Sequence, residues 1–516
     1  MSPSSLRLRT LLLCALVWMN WATPLAVARA APSGATAADR ADRESAANAG
    51  ETAADFARTL LARAGFHPEQ LSYLVVDLES GRTLRAARER TPFPPASTAK
   101  LVTAIAALEV LGGEAHLATE LLLRGEVRDG VLRGDVVLRG GGDPLLDLDD
   151  LHALALALSR SGIRRVRGRF VVDDTLFPRI TRITADEPDF APYNAGIGPL
   201  VVAFNRVRLA RRGKAFFTVP PLAEAVLLPP RDGSSRLRFE PAGRDGTPAR
   251  WHLGVYPDGR WPKALPVRDG GLHVAALLGR FAAAYGVSLP EPRRGPTPAG
   301  ARVLARVASP PLRELVRAML WYSNNQVAEM LGLVASRRVL GRPAGDLAAS
   351  ASTLLARLAL RVPSLGGDGA RLVDHSGLSA ADRLTARGLA ELLRDGFSRF
   401  DLPALLPASG WSGTLGRRLL DRTLALRLWA KTGSTAYASA IAGFLLPPGK
   451  PPRIVVAAVW DPAARRAYYD ASVRTAELEA RARNWRERAR ALLDALLRHW
   501  AQQGTPPAGT GDRGGR

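Results

Sequence analysis

The sequence predicts an α+β fold in which one domain of helices and strands is interrupted by a β-rich insertion. Helical apolar spacing marks both ends of the chain, whereas between about 116 and 294 short apolar segments alternate with Gly, Asp and Pro. The residues with catalytic potential lie on both sides of that region. We therefore expect residues 51–115 and 295–502 to form two halves of one domain around an inserted β-rich region, 116–294.

The first half of this domain contains a helix, a β-hairpin and a second helix in chain order. Residues 53–64 have helical spacing, and the apolar stretches 71–78 and 83–85 indicate two strands around a turn with Gly81. Three prolines then keep the chain extended up to Ser97. From there a helix is expected to run to the glycine pair that follows Leu111.

The second half alternates helices with strands and ends in a long helix. Its apolar spacing predicts two helices, then three strands, then a terminal helix: 312–320, 327–339, 424–428, 439–446, 454–460 and 476–500. No internal repeat is present in the sequence. The strands fall in the half that also carries the last lysine motif.

The N-terminus has the pattern of an export signal. Two arginines precede an apolar run over 11–21, and Ala28-Arg29-Ala30 follows as a cleavage site. An uncut anchor would need about 20 apolar residues. We expect a signal peptide over 1–30, a disordered linker over 31–50, a disordered tail over 503–516 and a periplasmic mature protein.

Composition excludes several classes of protein. Cys14, the single cysteine, lies in the leader, so cysteine catalysis and disulfides are excluded from the mature chain. The seven histidines show no metal-binding spacing, and we expect no metal and no cofactor. The net charge of +23 comes from scattered arginines. Together with export, this indicates a solvated basic surface with at most peripheral membrane contact and no nucleic-acid partner.

Lysine is rare in this chain, and its positions are informative. Five of the 71 basic residues are lysines, and two of these lie in Ser97-Thr98-Ala99-Lys100 and Lys431-Thr432-Gly433. Arginine stays protonated, whereas a desolvated lysine amine can lose its proton and act as a base. Lys100 and Lys431 are therefore the candidate chemical groups.

Ser97 and Lys100 have the spacing of a nucleophile and its base. Residues three apart on a helix share a face, so the Ser97 hydroxyl can give its proton to the Lys100 amine. The Ser97 amide, near a helix N-terminus, can stabilise the negative charge that develops in acyl transfer. Taken alone the pattern is weak, because a serine at a helix start is usually an N-cap.

Two further motifs follow in chain order. Ser323 and Asn325 lie between two predicted helices, where Ser323 can relay a proton and Asn325 can hold Lys100 and the substrate backbone. Lys431 can attract a substrate carboxylate, and Thr432 or Ser434 can hydrogen-bond to the same group. Gly433 allows a close approach of substrate, and the Ser434 amide can be a second oxyanion donor. The trio in this order predicts a serine acyltransferase.

With these motifs the chain resembles the penicillin-binding proteins, specifically the class C, type 4 D-alanyl-D-alanine carboxypeptidases and endopeptidases. The resemblance covers about 55 to 485. Besides the three motifs it includes residues 140–144, 171–177, 309–312, 374–379 and 412–415, and the 226-residue separation between Ser97 and Ser323. His375 and Ala380 depart from the usual Gly and Arg of the family.

The resemblance implies a transpeptidase-like domain with a five-stranded antiparallel sheet flanked by helices. It implies cleavage of D-Ala-D-Ala ends and of D-alanyl-diaminopimelate cross-links in peptidoglycan stem peptides, with β-lactam antibiotics as covalent inhibitors. It also implies that Asp173 and Phe177 line the diaminopimelate end of the substrate. The sequence leaves the oligomeric state open.

Two alternatives remain at this stage. A serine β-lactamase would share the motifs, but the deacylating glutamate of class A enzymes has no counterpart here, since no Glu occurs between Glu329 and Glu391. A catalytically inactive envelope-binding protein would suit the basic charge. The retention of both motif lysines in an arginine-rich chain argues against it.

Overall fold

A computed structural model describes residues 53–213, 215–222, 225–229, 237–242, 249–254, 261–471 and 474–503. The expected signal peptide and linker lie outside the described residues, as does the expected tail apart from Gln503. Among the residues that are described, no helix is both long enough and apolar enough to cross a bilayer.

A five-stranded antiparallel sheet joins the two ends of the chain, as predicted. Its strands are β1 (Leu71–Asp77), β2 (Thr83–Ala87), β15 (Leu428–Thr435), β16 (Ala438–Leu445) and β17 (Arg453–Trp460). The order is β15-β16-β17-β1-β2, so the last strand of the chain pairs with the first. This pairing brings the Ser97 half and the Lys431 half into one domain.

Helices cover both faces of this sheet, which explains why β16 and β17 are buried along their whole length. Side chains at alternate positions of β16 enter different cores: Ala440 and Ala442 lie with the first group of helices, whereas Ile441 packs with the second. The first group comprises α2 (Lys100–Leu111), α5 (Leu312–Tyr322), α6 (Asn325–Leu340), α7 (Leu347–Ala359) and α8 (Ala386–Phe400). The second comprises α1 (Ala53–Ala64) and α10 (Ala476–Gln502), with α9 (Pro462–Asp470) beside them.

The helix α2 is central to the first core. Its first nine residues are all buried, and it packs against α5, α6 and α8. An alanine-rich and leucine-rich sequence suits this position, because small side chains let neighbouring helices approach closely. Lys100, the first residue of α2, is thereby carried into the interior of the domain.

The inserted region is built on a six-stranded sheet with two helices. The sheet has the order β13-β6-β4-β3-β14, with β5 beside β4. Among the described residues of the region there are also two three-stranded sheets. Its elements are β3 (Ala118–Arg128), β4 (Val131–Gly140), α3 (Leu148–Arg160), β5 (Arg165–Val166), β6 (Phe170–Asp173), β7 (Arg206–Arg212), β8 (Ala215–Val219), β9 (Ala225–Leu228), β10 (Arg238–Glu240), β11 (Ala249–His252), β12 (Ala264–Pro266), α4 (Gly270–Ala284), β13 (Pro292–Arg294) and β14 (Arg302–Ala308).

Three details differ from the sequence-based expectations. The sheet of the insertion extends past the expected boundary at 294, because β14 returns to pair with β3. The helix α3 was missed, although Asp147 and Asp150 form a capping box before its leucines. The strand expected over 424–428 begins only at Leu428, because Leu426 adopts a left-handed conformation, with φ of 60°, in a turn.

Candidate active site

Ser97 and Lys100 lie at the point where a short 3-10 helix, Ala96–Ala99, passes into α2. The Lys100 Nζ is 2.9 Å from the Ser97 Oγ. Ser97 is half-buried, whereas Lys100 has no solvent exposure at all. A turn of helix thus places a buried amine directly beside an accessible hydroxyl, as the spacing predicts.

The Lys100 amine has three hydrogen-bond partners, and two of them can only accept. Besides Ser97, the Nζ contacts the Asn325 Oδ1 at 2.8 Å and the Ser376 carbonyl oxygen at 2.8 Å. A neutral amine has two N–H groups and one lone pair. With both N–H groups donated to these two oxygens, the lone pair is left for the Ser97 hydroxyl hydrogen.

Lys431 and Ser323 form the second half of the cluster. The Lys431 Nζ donates to the Ser323 Oγ at 2.9 Å and to the Thr432 carbonyl oxygen at 2.7 Å. Ser323 terminates α5 in a left-handed conformation, with φ of 55°, and Asn324 then caps α6. This tight junction allows Ser323 to reach Lys431 while Asn325, two residues later, reaches Lys100.

The strand β15 lies against the Ser97 segment. A side chain at Gly433 would place its Cβ 2.6 Å from the Pro95 carbonyl oxygen and 3.0 Å from the Ser97 nitrogen. Glycine is therefore required there by the close approach of two backbones. The Thr432 hydroxyl, half-buried, contacts the Thr414 Oγ1 at 2.9 Å.

The direction of the Ser434 amide follows from the strand geometry. The Ala430 amide donates to the Pro407 carbonyl oxygen, on the side of β15 that faces away from β16. Amides of alternate residues in a strand point to the same edge. The Ser434 amide therefore points to the open edge, where the Ser97 segment passes, and the Ser434 side chain is exposed.

Burial lowers the pKa of both lysines. Desolvation lowers the pKa of Lys100 to about 8, with Glu329, Asp374 and Asp382 acting in the opposite direction. Desolvation also lowers the pKa of Lys431 well below its ordinary value, and the nearby Lys100 charge adds to this effect. Two ammonium groups in one dry pocket repel each other, so loss of one proton is favoured.

Comparison with known proteins identifies the family of the chain. Residues 57–221 and 261–468 match the model of the D-Ala-D-Ala carboxypeptidase 3 (S13) family. The chain belongs to this family. A D-alanyl-D-alanine carboxypeptidase of Actinomadura sp. (strain R39) is 32% identical over 413 residues, covering 72% of this chain and 74% of that protein. Carboxypeptidase DacB of Mycolicibacterium smegmatis is 30% identical over 385 residues, covering 72% of each chain.

A solved structure supports the fold of this S13 peptidase. Penicillin binding protein 4 (dacB) of Haemophilus influenzae superposes with a TM-score of 0.69 at 20% identity, covering 86% of this chain and 98% of that one. The same protein in complex with a β-lactam superposes with a TM-score of 0.64 at 20% identity, over 83% and 95% of the two chains. The penicillin-binding-protein fold predicted from the motifs is thus confirmed.

The inserted region contributes a contact that the sequence did not reveal. The Asn325 Nδ2 donates to the Tyr193 carbonyl oxygen at 3.1 Å, which turns the Asn325 Oδ1 toward Lys100. The next residue, Gln326, donates to the Gly196 carbonyl oxygen at 2.9 Å. The insertion therefore orients Asn325 through a backbone carbonyl oxygen. The pattern of side chains in the sequence does not predict such a backbone contact.

Three buried carboxyl groups, those of Glu329, Asp374 and Asp382, lie near Lys100, and no local sequence pattern marks them. Asp374 accepts hydrogen bonds from four successive backbone amides, 376–379, which organise the loop whose Ser376 carbonyl holds Lys100. Glu329, one turn after Asn325 on α6, accepts from the His375 amide at 2.9 Å. Burial raises the pKa of Glu329 to about 8 and that of Asp382 well above its ordinary value.

His375 has a structural position. Its Nε2 shares a hydrogen bond of 2.7 Å with the Ser350 Oγ, and its ring lies against the bare Cα of Gly332. Burial lowers the pKa of His375 to about 3, so the ring is neutral. Within the described residues, no group of three or more His, Cys, Asp or Glu side chains is arranged to hold a metal.

Asp173 and Phe177 lie apart from the hydrogen-bonded cluster around Ser97, and their contact with the diaminopimelate end of the substrate stays a prediction. The Asp173 carboxylate is fully engaged by the amides and hydroxyls of Thr175 and Thr297. Phe177 is 2% exposed and packs with Ile183, Met330 and other apolar side chains. Asp173 therefore ties segments of the insertion together, and Phe177 packs the insertion against α6.

The contact between Gly332 and His375 can be tested by substitution. In Gly332→Ala the new Cβ would lie within 2.4 Å of three His375 ring atoms, and we expect a loss of about 1–3 kcal/mol of unfolding free energy. His375→Ala removes the obstacle, so the double variant should lose less stability than the two single losses added together. Urea unfolding measures both.

Gly279→Ala is the matched control, because a Cβ there meets nothing within 4 Å on α4 and should leave stability unchanged or slightly higher. If the losses of unfolding free energy in Gly332→Ala and His375→Ala were strictly additive, the two positions would not be in energetic contact.

Proposed function

We propose that the protein is a serine DD-peptidase that cleaves the D-Ala-D-Ala ends of peptidoglycan stem peptides through an acyl-enzyme on Ser97. The observation that carries this proposal is the buried Lys100 amine, with two acceptor-only partners and its third position directed at the Ser97 hydroxyl. The carboxypeptidase names of its relatives support the substrate class. Cleavage of D-alanyl-diaminopimelate cross-links is part of the proposal.

Acylation begins with proton transfer from Ser97 to the neutral Lys100 amine. The Ser97 oxygen then attacks the carbonyl carbon of the penultimate D-Ala, and the amides of Ser97 and Ser434 stabilise the oxyanion. The two amides can reach one oxyanion, because β15 lies against the Ser97 segment and a Cβ on Gly433 would be only 3.0 Å from the Ser97 nitrogen. Little reorganisation is needed during the reaction, since these donors are held by the helix and the strand.

The departing amine receives its proton from the Ser323 hydroxyl, and the Lys100 ammonium passes the proton taken from Ser97 on to Ser323, so that Lys100 is neutral again. Lys431 donates to the Ser323 oxygen, so the hydroxyl hydrogen of Ser323 remains free to be donated to the leaving group. A substrate carboxylate bound beside Lys431 would favour the protonated form of its amine, and Thr432 or Ser434 can hydrogen-bond to the same carboxylate. Product release leaves a D-alanyl ester on Ser97, which water hydrolyses with Lys100 again as the base.

A β-lactam would acylate Ser97 in the same way, and the resulting ester would be hydrolysed slowly. The Haemophilus influenzae relative forms a complex with a β-lactam, which supports penicillin binding by this chain. The one glutamate at the start of α6, Glu329, is wholly buried and hydrogen-bonded to His375, so it cannot activate a water at the ester. This favours a penicillin target over a β-lactamase.

We further propose that the mature protein works in the periplasm after removal of the leader 1–30. Peptidoglycan stem peptides lie outside the cytoplasmic membrane, and the leader has the pattern of an export signal. Fractionation of cells into periplasm and cytoplasm, with the N-terminus of the recovered protein sequenced, tests both statements. An intact leader on soluble cytoplasmic protein would refute them.

A fluorescent penicillin tests the nucleophile. The wild-type protein should form a stable covalent adduct, and Ser97→Ala should form none, because the acylated oxygen is gone. Ser398→Ala, at an exposed position of α8, is the control and should label like the wild type. No adduct on the folded wild type would exclude the proposed enzyme, and a rapidly lost adduct would indicate a β-lactamase.

The pH dependence of acylation tests the base. Only the free amine of Lys100 accepts a proton, so the acylation rate should rise with pH up to about 8 and then level off. At two pH units below that value we expect a rate about a hundredfold lower. Stopped-flow acylation with a chromogenic cephalosporin measures this profile.

Lys100→Arg should abolish acylation at every pH, because guanidinium does not deprotonate, whereas Lys450→Arg, outside the site, should keep the profile. A rate that is flat from acidic to alkaline pH would contradict a titrating lysine base.

Purified muropeptides test the substrate. The mature protein should release D-alanine from monomeric pentapeptides and convert cross-linked dimers to monomers, and Ser97→Ala should do neither. Chromatography of the products with mass spectrometry measures both reactions. Release of D-alanine with all dimers intact would remove the endopeptidase part of the proposal and leave the carboxypeptidase part.

A further inference from the structure

Three large apolar side chains project from one loop beside the active site. Trp411 is 73% exposed, Leu420 is 65% exposed and Leu426 is 56% exposed. Among the described residues, only Val303 and Leu360 join them as large hydrophobic side chains that are more than half exposed. Three of these five therefore come from a stretch of 16 residues, and we name Trp411, Leu420 and Leu426 the apolar tip.

The loop that carries the apolar tip is well anchored. Leu415, Leu419 and Leu424 are buried in the core beneath it. Backbone hydrogen bonds close it, from the Gly410 amide to the Arg418 carbonyl oxygen and from the Leu426 amide to the Ser409 carbonyl oxygen. The exposed leucines therefore alternate with buried ones on a fixed backbone, and their exposure is a property of the folded loop.

The segments around the apolar tip are close in space. A Cβ built on Gly410, which precedes Trp411, would lie 3.4 Å from the Leu420 Cδ2 and 3.7 Å from the Ala425 Cβ. Leu426 directly follows Ala425. The three side chains of the tip thus emerge from neighbouring backbone segments and form one apolar feature.

The loop that carries the apolar tip is positively charged. Residues 408–428 contain four arginines (417, 418, 422 and 427) and one acid, Asp421, which gives a net charge of +3. Arg418 pairs with Asp494 of α10, and Asp421 pairs with Arg498. Arg417 and Arg422 are exposed. The apolar tip therefore shares its loop with two exposed arginines, which we call the basic rim.

We propose that the apolar tip docks this protein on an anionic phospholipid bilayer, with the surrounding arginines contacting lipid phosphates. A tryptophan with adjacent leucines suits the interface between headgroups and acyl chains, and basic residues add electrostatic attraction to anionic lipid. One tip provides reversible, peripheral attachment. The docking does not depend on the proposed enzymatic function.

The chemistry of the tip favours lipid over two other occupants. A second copy of the chain would bring two sets of arginines together, and like charges across an interface oppose association. A glycan would need hydrogen-bonding groups and ring faces, whereas two of the three tip residues are leucines. An anionic lipid bilayer offers acyl chains to the apolar side chains and phosphate groups to the arginines.

The position of the tip relates docking to the catalytic cleft. Thr414, three residues after Trp411, contacts the Thr432 hydroxyl at 2.9 Å. A bilayer contacted by the tip would thus lie near the Lys431 side of the site. If the proposed function holds, stem peptides close to the membrane surface would be the ones most accessible to Ser97.

Vesicle sedimentation tests the proposal on the leader-free protein. Wild type should sediment with vesicles of equal parts phosphatidylglycerol and phosphatidylethanolamine and much less with pure phosphatidylcholine. The triple variant Trp411→Ser, Leu420→Ser, Leu426→Ser keeps the net charge and should bind the anionic vesicles about tenfold or more weakly. Leu360→Ser, which removes a side chain that is 86% exposed outside this loop, is the matched control and should bind like the wild type.

Three results would overturn the proposal. The first is wild-type protein that stays soluble with anionic vesicles, and the second is a triple variant that sediments as well as wild type, which would assign binding to the general basic surface. The third is a wild-type dimer in analytical ultracentrifugation that the triple variant converts to monomer, which would make the tip a protein interface. Thermal unfolding of the variants verifies that each is folded, and none of these readouts requires enzymatic activity.

Discussion

The arrangement of the site depends on placing two lysine amines in one dry pocket and giving each a specific set of acceptors. Neither Lys100 nor Lys431 has any solvent exposure, so every N–H group that water would have solvated needs a partner from the protein. Lys100 has the Asn325 and Ser376 oxygens, and Lys431 has Ser323 and the Thr432 carbonyl oxygen. Desolvation and mutual repulsion then favour the neutral amine that acyl transfer requires.

This constraint explains why distant parts of the chain must meet. The nucleophile and its base come from the start of α2, the proton relay from the α5–α6 junction, and the second lysine from β15. The insertion adds the Tyr193 carbonyl oxygen, which orients the Asn325 amide. The loop at 374–379 adds the Ser376 carbonyl oxygen, held by the buried Asp374 carboxylate. The pairing of β1 with β17 joins the two halves of the domain that carry these contributions.

The candidate site could be predicted from the sequence where side chains of defined chemistry recur at short spacing. Ser97 and Lys100 are one helical turn apart, Ser323 and Asn325 flank a helix start, and Lys431 to Ser434 follow one another on a strand. Asp173 and Phe177 were assigned by resemblance of a segment alone; the structure shows both buried among neighbouring residues, and their contact with substrate stays a prediction. No local sequence pattern predicts the contacts of Tyr193, Ser376 and Glu329. Tyr193 and Ser376 act through their backbone carbonyl oxygens, and the effect of Glu329 depends on its burial.

The sequence by itself determined the fold class, the three motifs and their order, since helical periodicity, strand patterns and the rarity of lysine are local properties of the chain. Only the tertiary structure decided the environment of those motifs: the complete burial of both lysines, the acceptors around Lys100 and the exposed Trp411 beside the cleft. The physical reason is that desolvation and hydrogen-bond geometry depend on atoms hundreds of residues apart in sequence, and their positions are set when the core packs.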